Sequence, residues 1–174
     1  IPAPPAIPTY RVPPPAGEAQ AAPLPAAEAM ALHLAHDCDG IDEELLRNVA
    51  HPLAGGGDLI LISCSRGAYN FSDIAFVRRG GELTPARFDR VFSWGDAGEI
   101  PLLVNSYWAD GELGTYAKGR GIGDCGTAER FAWDGAMFRL IERREMNECR
   151  GSPHWITVWR AEAVVGNGSN HKNR

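Results

Sequence analysis

Four isolated cysteines constrain this chain more than any other feature. Cys38, Cys64, Cys125 and Cys149 form no CxxC pair and have no histidines at zinc-ligand spacing. Disulfides fit this pattern better than four buried thiols of a cytosolic protein. Of the three connectivities that four cysteines allow, Cys38 with Cys64 and Cys125 with Cys149 each close a compact local unit. Loop closure gives each bridge about 3 kcal/mol. The stretch 118–160 holds two of these cysteines, three of the five tryptophans and the densest turn signals, so the chain is organised around it.

The 174 residues, 44% hydrophobic, suffice for one ordinary domain with a sizeable core. The net charge of -5 argues against nucleic acid as a partner, because no broad positive field is available to neutralise phosphates. The charge is uneven: seven Lys/Arg stand against 15 Asp/Glu up to residue 117, and ten against seven beyond it. No apolar run reaches the roughly 20 residues of a membrane-spanning helix. The chain opens on Ile1, so a processed or excised piece is expected.

Residues 1–25 contain nine of the 13 prolines and are expected to run extended as a linker or arm without sheet or helix. A domain over 26–165 follows, with a polar tail over 166–174. Helix formers over 26–36 predict a short helix packing Met30 and Leu34, with His33 and His36 on the surface rather than on a metal. Asp39 or Asp42 is expected to cap a second helix ending before Pro52. The apolar run 58–64 predicts a central strand covered on both faces. The turn Arg66-Gly67-Ala68-Tyr69-Asn70 follows, then a hairpin of 71–79 and 82–89 about Gly80-Gly81, with Pro85 pushing the second arm to a sheet edge.

Residues 90–101, with Trp94, read as a loop. Asp110-Gly111 predicts a hairpin over 102–118. Its core face pairs Trp108 with Leu113, Ser106 with Thr115 and Val104 with Ala117. The other face pairs Tyr107 with Gly114 and Asn105 with Tyr116, leaving both tyrosines for solvent or a ligand. Asp134-Gly135 predicts another hairpin, with Phe131, Trp133, Ala136, Phe138 and Leu140 in the core. It sets Arg130 opposite Arg139, a like-charge pair to be neutralised by Glu142 or Glu145, or by a bound anion. A last strand over 155–164 closes the sheet. Asn167-Gly168-Ser169 matches the glycosylation acceptor pattern.

Gly121-Ile122-Gly123-Asp124-Cys125-Gly126 satisfies GxGxxG, but a hairpin follows it where a βαβ unit is required, so it does not indicate a dinucleotide. Its glycines are expected to serve a tight loop with positive φ. Lys118, Arg120 and Arg150 around it form a candidate anion or partner surface, with Tyr69, Asn70, Tyr107 and Tyr116 as further candidate binding residues. Cys149, Ser152 and His154 do not make a nucleophilic set if Cys149 is oxidised. Asp124 and Glu148 are the carboxylates available for acid/base work, more simply partners of Arg120 and Arg150. No cofactor is indicated.

Five ordered motifs carry a resemblance: Gly67-Ala68-Tyr69-Asn70 after a cysteine, the run 118–126, Phe131-Ala132-Trp133-Asp134-Gly135, Glu148-Cys149-Arg150-Gly151, and Thr157-Val158-Trp159-Arg160-Ala161. Over about residues 60–162 the chain resembles an uncharacterised secreted proteobacterial family, domain of unknown function 1176. The resemblance implies a C-terminal portion joined to an upstream region by the Pro-rich linker, a periplasmic or extracellular address, and disulfides. It brings no catalytic residues.

The expectation is therefore a disulfide-stapled α+β domain of mainly antiparallel sheet and hairpins with a short helical lead-in. Its expected role is that of a non-catalytic envelope module binding a protein or cell-wall partner, or an accessory subunit. The alternatives are an envelope enzyme acting on cell-wall glycan or peptide through Asp124, Glu148 or His154, and an inhibitor of such an enzyme.

Overall fold

The apolar run after Gly57 explains the architecture. In the computed structural model, which describes residues 6–17, 20–38, 41–89 and 100–166, Asp58–Arg66 is a strand buried without a break from Leu59 to Cys64. Side chains alternate across a strand, so Leu59 and Leu61 enter one apolar cluster and Ile60, Ile62 and Cys64 another. The first cluster lies between two antiparallel sheets and includes Leu113, Phe131, Phe138 and Leu140 from the second sheet. The other cluster lies beneath the helix, with Leu24, Ala29 and Cys38. Burying each of these leucines and isoleucines is worth about 1.5–3 kcal/mol, which makes this strand the centre of three layers.

In chain order the elements are β1 (Thr9–Val12), α1 (Ala26–Ala35), a 3-10 turn (Glu43–Leu45), β2 (Asn48–Pro52), β3 (Asp58–Arg66), β4 (Phe71–Arg79), β5 (Glu82–Pro85), β6 (Leu103–Val104), β7 (Tyr107–Ala109), β8 (Glu112–Lys118), β9 (Gly126–Trp133), β10 (Phe138–Met146), β11 (Ile156–Arg160) and β12 (Glu162–Val165). The first sheet runs β2-β3-β4-β5, with β6 also joined to β4, and the second runs β11-β10-β9-β8-β7. Both are antiparallel throughout. β5 ends at Pro85 on the sheet edge, as the missing proline N–H requires. Both expected disulfides are present, Cys38 with Cys64 and Cys125 with Cys149.

Several expectations are corrected. The Pro-rich arm is not free of sheet, because Thr9–Val12 pairs in parallel with Glu162–Val165. The second helix is replaced by the 3-10 turn and β2. Val49, Ala50 and His51 instead complete the ladder of β3 opposite Leu61, Ile60 and Leu59, whose backbone groups would otherwise be buried unpaired. α1 turns Ala29 and His33 inward and leaves Leu34 66% exposed. His33 is not a surface residue: its Nδ1 sits 2.8 Å from the Ser63 carbonyl, which satisfies the buried ring.

The two Asp-Gly turns differ from each other. Around Asp110-Gly111 the expected register holds, with Tyr107 opposite Gly114 and Trp108 opposite Leu113. The pairing then stops, because Asn105 takes a left-handed backbone with φ 46° and the preceding Leu103–Val104 joins β4 at Asp73 and Ser72. At Asp134 the loop has four residues, since the Asp134 carboxylate accepts from the backbone N–H groups of Ala136 and Met137. Trp133 therefore faces Phe138, and Ala136 is exposed rather than in the core. After a register shift Arg130 lies opposite Glu142, not Arg139, and it bonds Glu112 and Glu142. The final strand is broken at buried Ala161, whose N–H goes to the Ile141 carbonyl, giving β11 and β12. Residues 90–99, which include most of the expected loop and Trp94, and the tail 167–174 with its glycosylation pattern lie outside the described residues.

Candidate functional site

The connection from β3 to β4 is short and polar, and it must be held from outside because it buries little of its own surface. The Gly67 N–H donates to the Asn70 carbonyl at 2.7 Å, closing the turn, and Ser65 and Ser72 hydroxyls meet at 2.6 Å beneath it. Two asparagines then tie it to the second sheet. Asn70 donates through Nδ2 to the Lys118 carbonyl at 2.8 Å and accepts the Lys118 N–H at 3.0 Å. Asn105 exchanges bonds with Phe71, its N–H donating to the Phe71 carbonyl at 2.7 Å and its Oδ1 accepting the Phe71 N–H at 2.9 Å. Its Nδ2 also donates to the Tyr116 carbonyl and to Asn70 Oδ1. Asn tolerates a positive φ better than most residues, and here that conformation turns the amide into a four-way clamp.

The clamp displays an aromatic ridge. Phe71 is 44% exposed, Tyr69 is 37% exposed, and the Arg66 guanidinium lies 5.3 Å from the Phe71 ring centre. One cleft, of about 270 Å³, lies on the Tyr69 side between Asn70, Phe71, Val104, Ala117 and Lys118. Another, of about 370 Å³ and also lined by Phe71, lies between Leu45, Arg47, Arg66, Asp73 and Ser106. Asp73 is 3% exposed and accepts from Arg47 and Ser106, each at 2.5 Å. Burial, the largest influence, pushes its carboxyl above the ordinary value, while the Ser106 hydrogen bond and the Arg47 charge pull the other way.

The sequence-derived candidates divide between this face and the disulfide loop. Tyr69, Asn70 and Lys118 line the smaller cleft, and the Tyr69 hydroxyl donates to the Gly119 carbonyl at 3.3 Å. Tyr116 stacks on Trp155 at 4.8 Å and donates to the Gly123 carbonyl. Tyr107, 43% exposed, brings the phenol end of its side chain against Gly114, where any Cβ would clash with it. Arg120 pairs with Asp124 and also donates to the Cys149 carbonyl, and Arg150 pairs with Glu148 at 2.7 Å. Two members of the basic trio are thus occupied by acids of the same loop.

The disulfide loop has little spare chemistry. The Arg120 hydrogen bond, chief among several influences, holds the Asp124 carboxyl down to about 2, and the Gly151 N–H adds to it at 2.6 Å. Such an acid stays ionised and is a poor proton donor near neutrality. Glu148 and His154 are both exposed on the surface. Asp124, Cys125 and Cys149 bring possible donor atoms within 4.8 Å of one another, but both sulfurs are in the disulfide and offer no thiolate. The glycine run is architectural as expected: Gly126, at φ 135°, packs so tightly on the Ala117 carbonyl that a side chain has no room.

Arg47 and Asp73 carry no expectation from the sequence, and Asn105 and Ser106 are expected only as cross-strand pairs of a hairpin rather than as site residues. A single acid in the apolar run 71–77 was the available signal, since a charge within a central strand needs a buried partner.

The family model described as Protein of unknown function (DUF1176) matches residues 1–162, which extends the resemblance seen from residue 60 back through the Pro-rich arm. The chain is 35% identical over 109 residues to the Uncharacterized protein YpfG of Escherichia coli (strain K12). That match covers 58% of this chain and 31% of YpfG, so it spans about a third of the relative's length. No solved structure matches the chain.

Proposed function

The chain belongs to the DUF1176 family, and from that premise we propose that it is a non-catalytic binding or accessory module of the bacterial envelope, periplasmic or extracellular, that engages a protein or cell-wall partner. The observation that supports this reading is the exposed Tyr69 and Phe71 ridge, held rigid by the Asn70 and Asn105 clamp between two clefts. Exposed aromatics on a pre-ordered support bind at low entropic cost, which is the usual make-up of an interface hot spot. The two disulfides are consistent with an oxidising compartment. An enzyme built on Asp124 and Glu148 has less support, because both acids are engaged by arginines.

The test is retention of envelope proteins and wall fragments on the immobilised chain, with the wild type compared with the Tyr69→Ala/Phe71→Ala double variant. The reading expects a partner retained by the wild type and lost by the double variant. Equal retention by both, or turnover of wall fragments by the purified chain, would overturn it.

A further inference from the structure

We propose that the cleft between Leu45 and Phe71 binds a small monocarboxylate with an apolar body, its carboxylate held by Arg66 and Arg47. The chemistry of the walls carries this assignment. Leu45 is 57% and Phe71 44% exposed, an apolar expense that a monomeric surface does not need in a cavity of about 370 Å³. Two guanidiniums line the same space. Arg47 commits one nitrogen, Nη1, to Asp73 and Ser106. The Arg66 guanidinium rests near the Phe71 ring, and among the described residues no carboxylate pairs with it.

Among the described residues that line the cleft the one acid is Asp73, buried with its Oδ2 already bonded to Arg47 and Ser106. It offsets one of the two guanidinium charges and leaves a net excess of one. That excess suits a monoanion better than a phosphate dianion. A planar guanidinium matches a carboxylate with two parallel hydrogen bonds, and an arginine stacked beside an aromatic ring keeps its N–H edge free to make them. Ser106 spends its hydroxyl proton on Asp73, so the carboxylate is left to the two arginines, while Leu45 and Phe71 flank the space for an apolar group. The ligand class is thus an N-acylated amino acid, or the carboxyl end of a peptide, whose last side chain is apolar.

The proposal adds a ligand class to the face described above and shares with that reading only the exposure of Phe71. A titration with purified small molecules succeeds or fails independently of any envelope capture.

Two-dimensional NMR of the whole chain is recorded during titration with N-acetylphenylalanine, its uncharged amide, inorganic phosphate and a short peptide ending in phenylalanine. The proposal expects saturable shifts at Arg66, Phe71 and Ser106 with N-acetylphenylalanine, and affinity weaker by roughly tenfold for the amide. A comparable loss is expected for Arg66→Ala, while Arg87→Ala, an exposed arginine outside the cleft, leaves binding unchanged. Tighter binding of the peptide than of the free amino acid identifies a chain terminus as the source, and the reverse identifies a free metabolite; either supports the class. Absence of saturation at millimolar ligand, equal binding of the amide, tighter binding of phosphate, or an unaffected Arg66→Ala variant would each overturn it. Arg66 is exposed, and a thermal melt of each variant confirms that it is folded before titration.

Discussion

Removing the two disulfides separately separates loop-closure entropy from core packing. The bridges span 26 and 24 residues, so loop closure predicts nearly the same loss for each, about 3.5 kcal/mol. For a domain of this size each kcal/mol moves the melting temperature by roughly 2–4 °C, which gives a drop of about 7–14 °C. The surroundings break the tie. Cys38 and Cys64 are 7% and 4% exposed inside the cluster beneath the helix, whereas Cys149 is exposed and only Cys125 is buried. Truncating the first pair to alanine removes packed atoms as well, which adds roughly 1–2 kcal/mol through incomplete collapse. Calorimetry should therefore rank wild type above Cys125→Ala/Cys149→Ala, and that variant above Cys38→Ala/Cys64→Ala. A drop of under about 3 °C in either double variant, or the reverse ranking, would refute the reasoning.

Asn105→Ala should cost about 2–3 kcal/mol, from lost amide bonds and from a φ that alanine resists, while Asn105→Gly should cost roughly 1 kcal/mol less; urea unfolding measures both. Arg143, 12% exposed, meets Glu129, 7% exposed, at 2.6 Å, so Arg143→Ala should cost about 3–5 kcal/mol, with Arg143→Met/Glu129→Gln costing less in a double-mutant cycle. The Asp124 carboxyl is depressed from 3.8 to about 2. Its contribution is thus fully present above about pH 4 and lost as pH falls through about 2. Urea midpoints of the wild type should fall across that window more steeply than those of Asp124→Asn.

Local patterns decided what was legible in the sequence. The run 59–62 announced a strand covered on both faces, and the cysteine spacing announced both bridges. The loops were less readable because single side chains set their geometry. Asp134 holds two backbone N–H groups and lengthens its turn to four residues, which moves the partner of Phe138 from Phe131 to Trp133, and the register shift after Leu140 moves the later partners further. Asn105 bends the chain between sheets, a choice visible only once Phe71, Asn70 and Tyr116 surround it. β2 shows the same override at the level of an element, since the open edge of β3 outweighed acidic residues that suited a helix start. The site suffered most from this. The cationic glycine loop stands out in the sequence, yet its arginines are neutralised locally, while Arg47, Asp73 and Ser106 come from three distant segments.

The central claim is that the working face centres on Phe71 and not on the disulfide loop. A photo-crosslinking residue placed at position 71, and separately at the 75% exposed Ile122 of the glycine loop, reads this out in whole cells that make the protein. The account predicts a discrete adduct from position 71 and none from position 122. An adduct from position 122 alone, or from neither position, would contradict it.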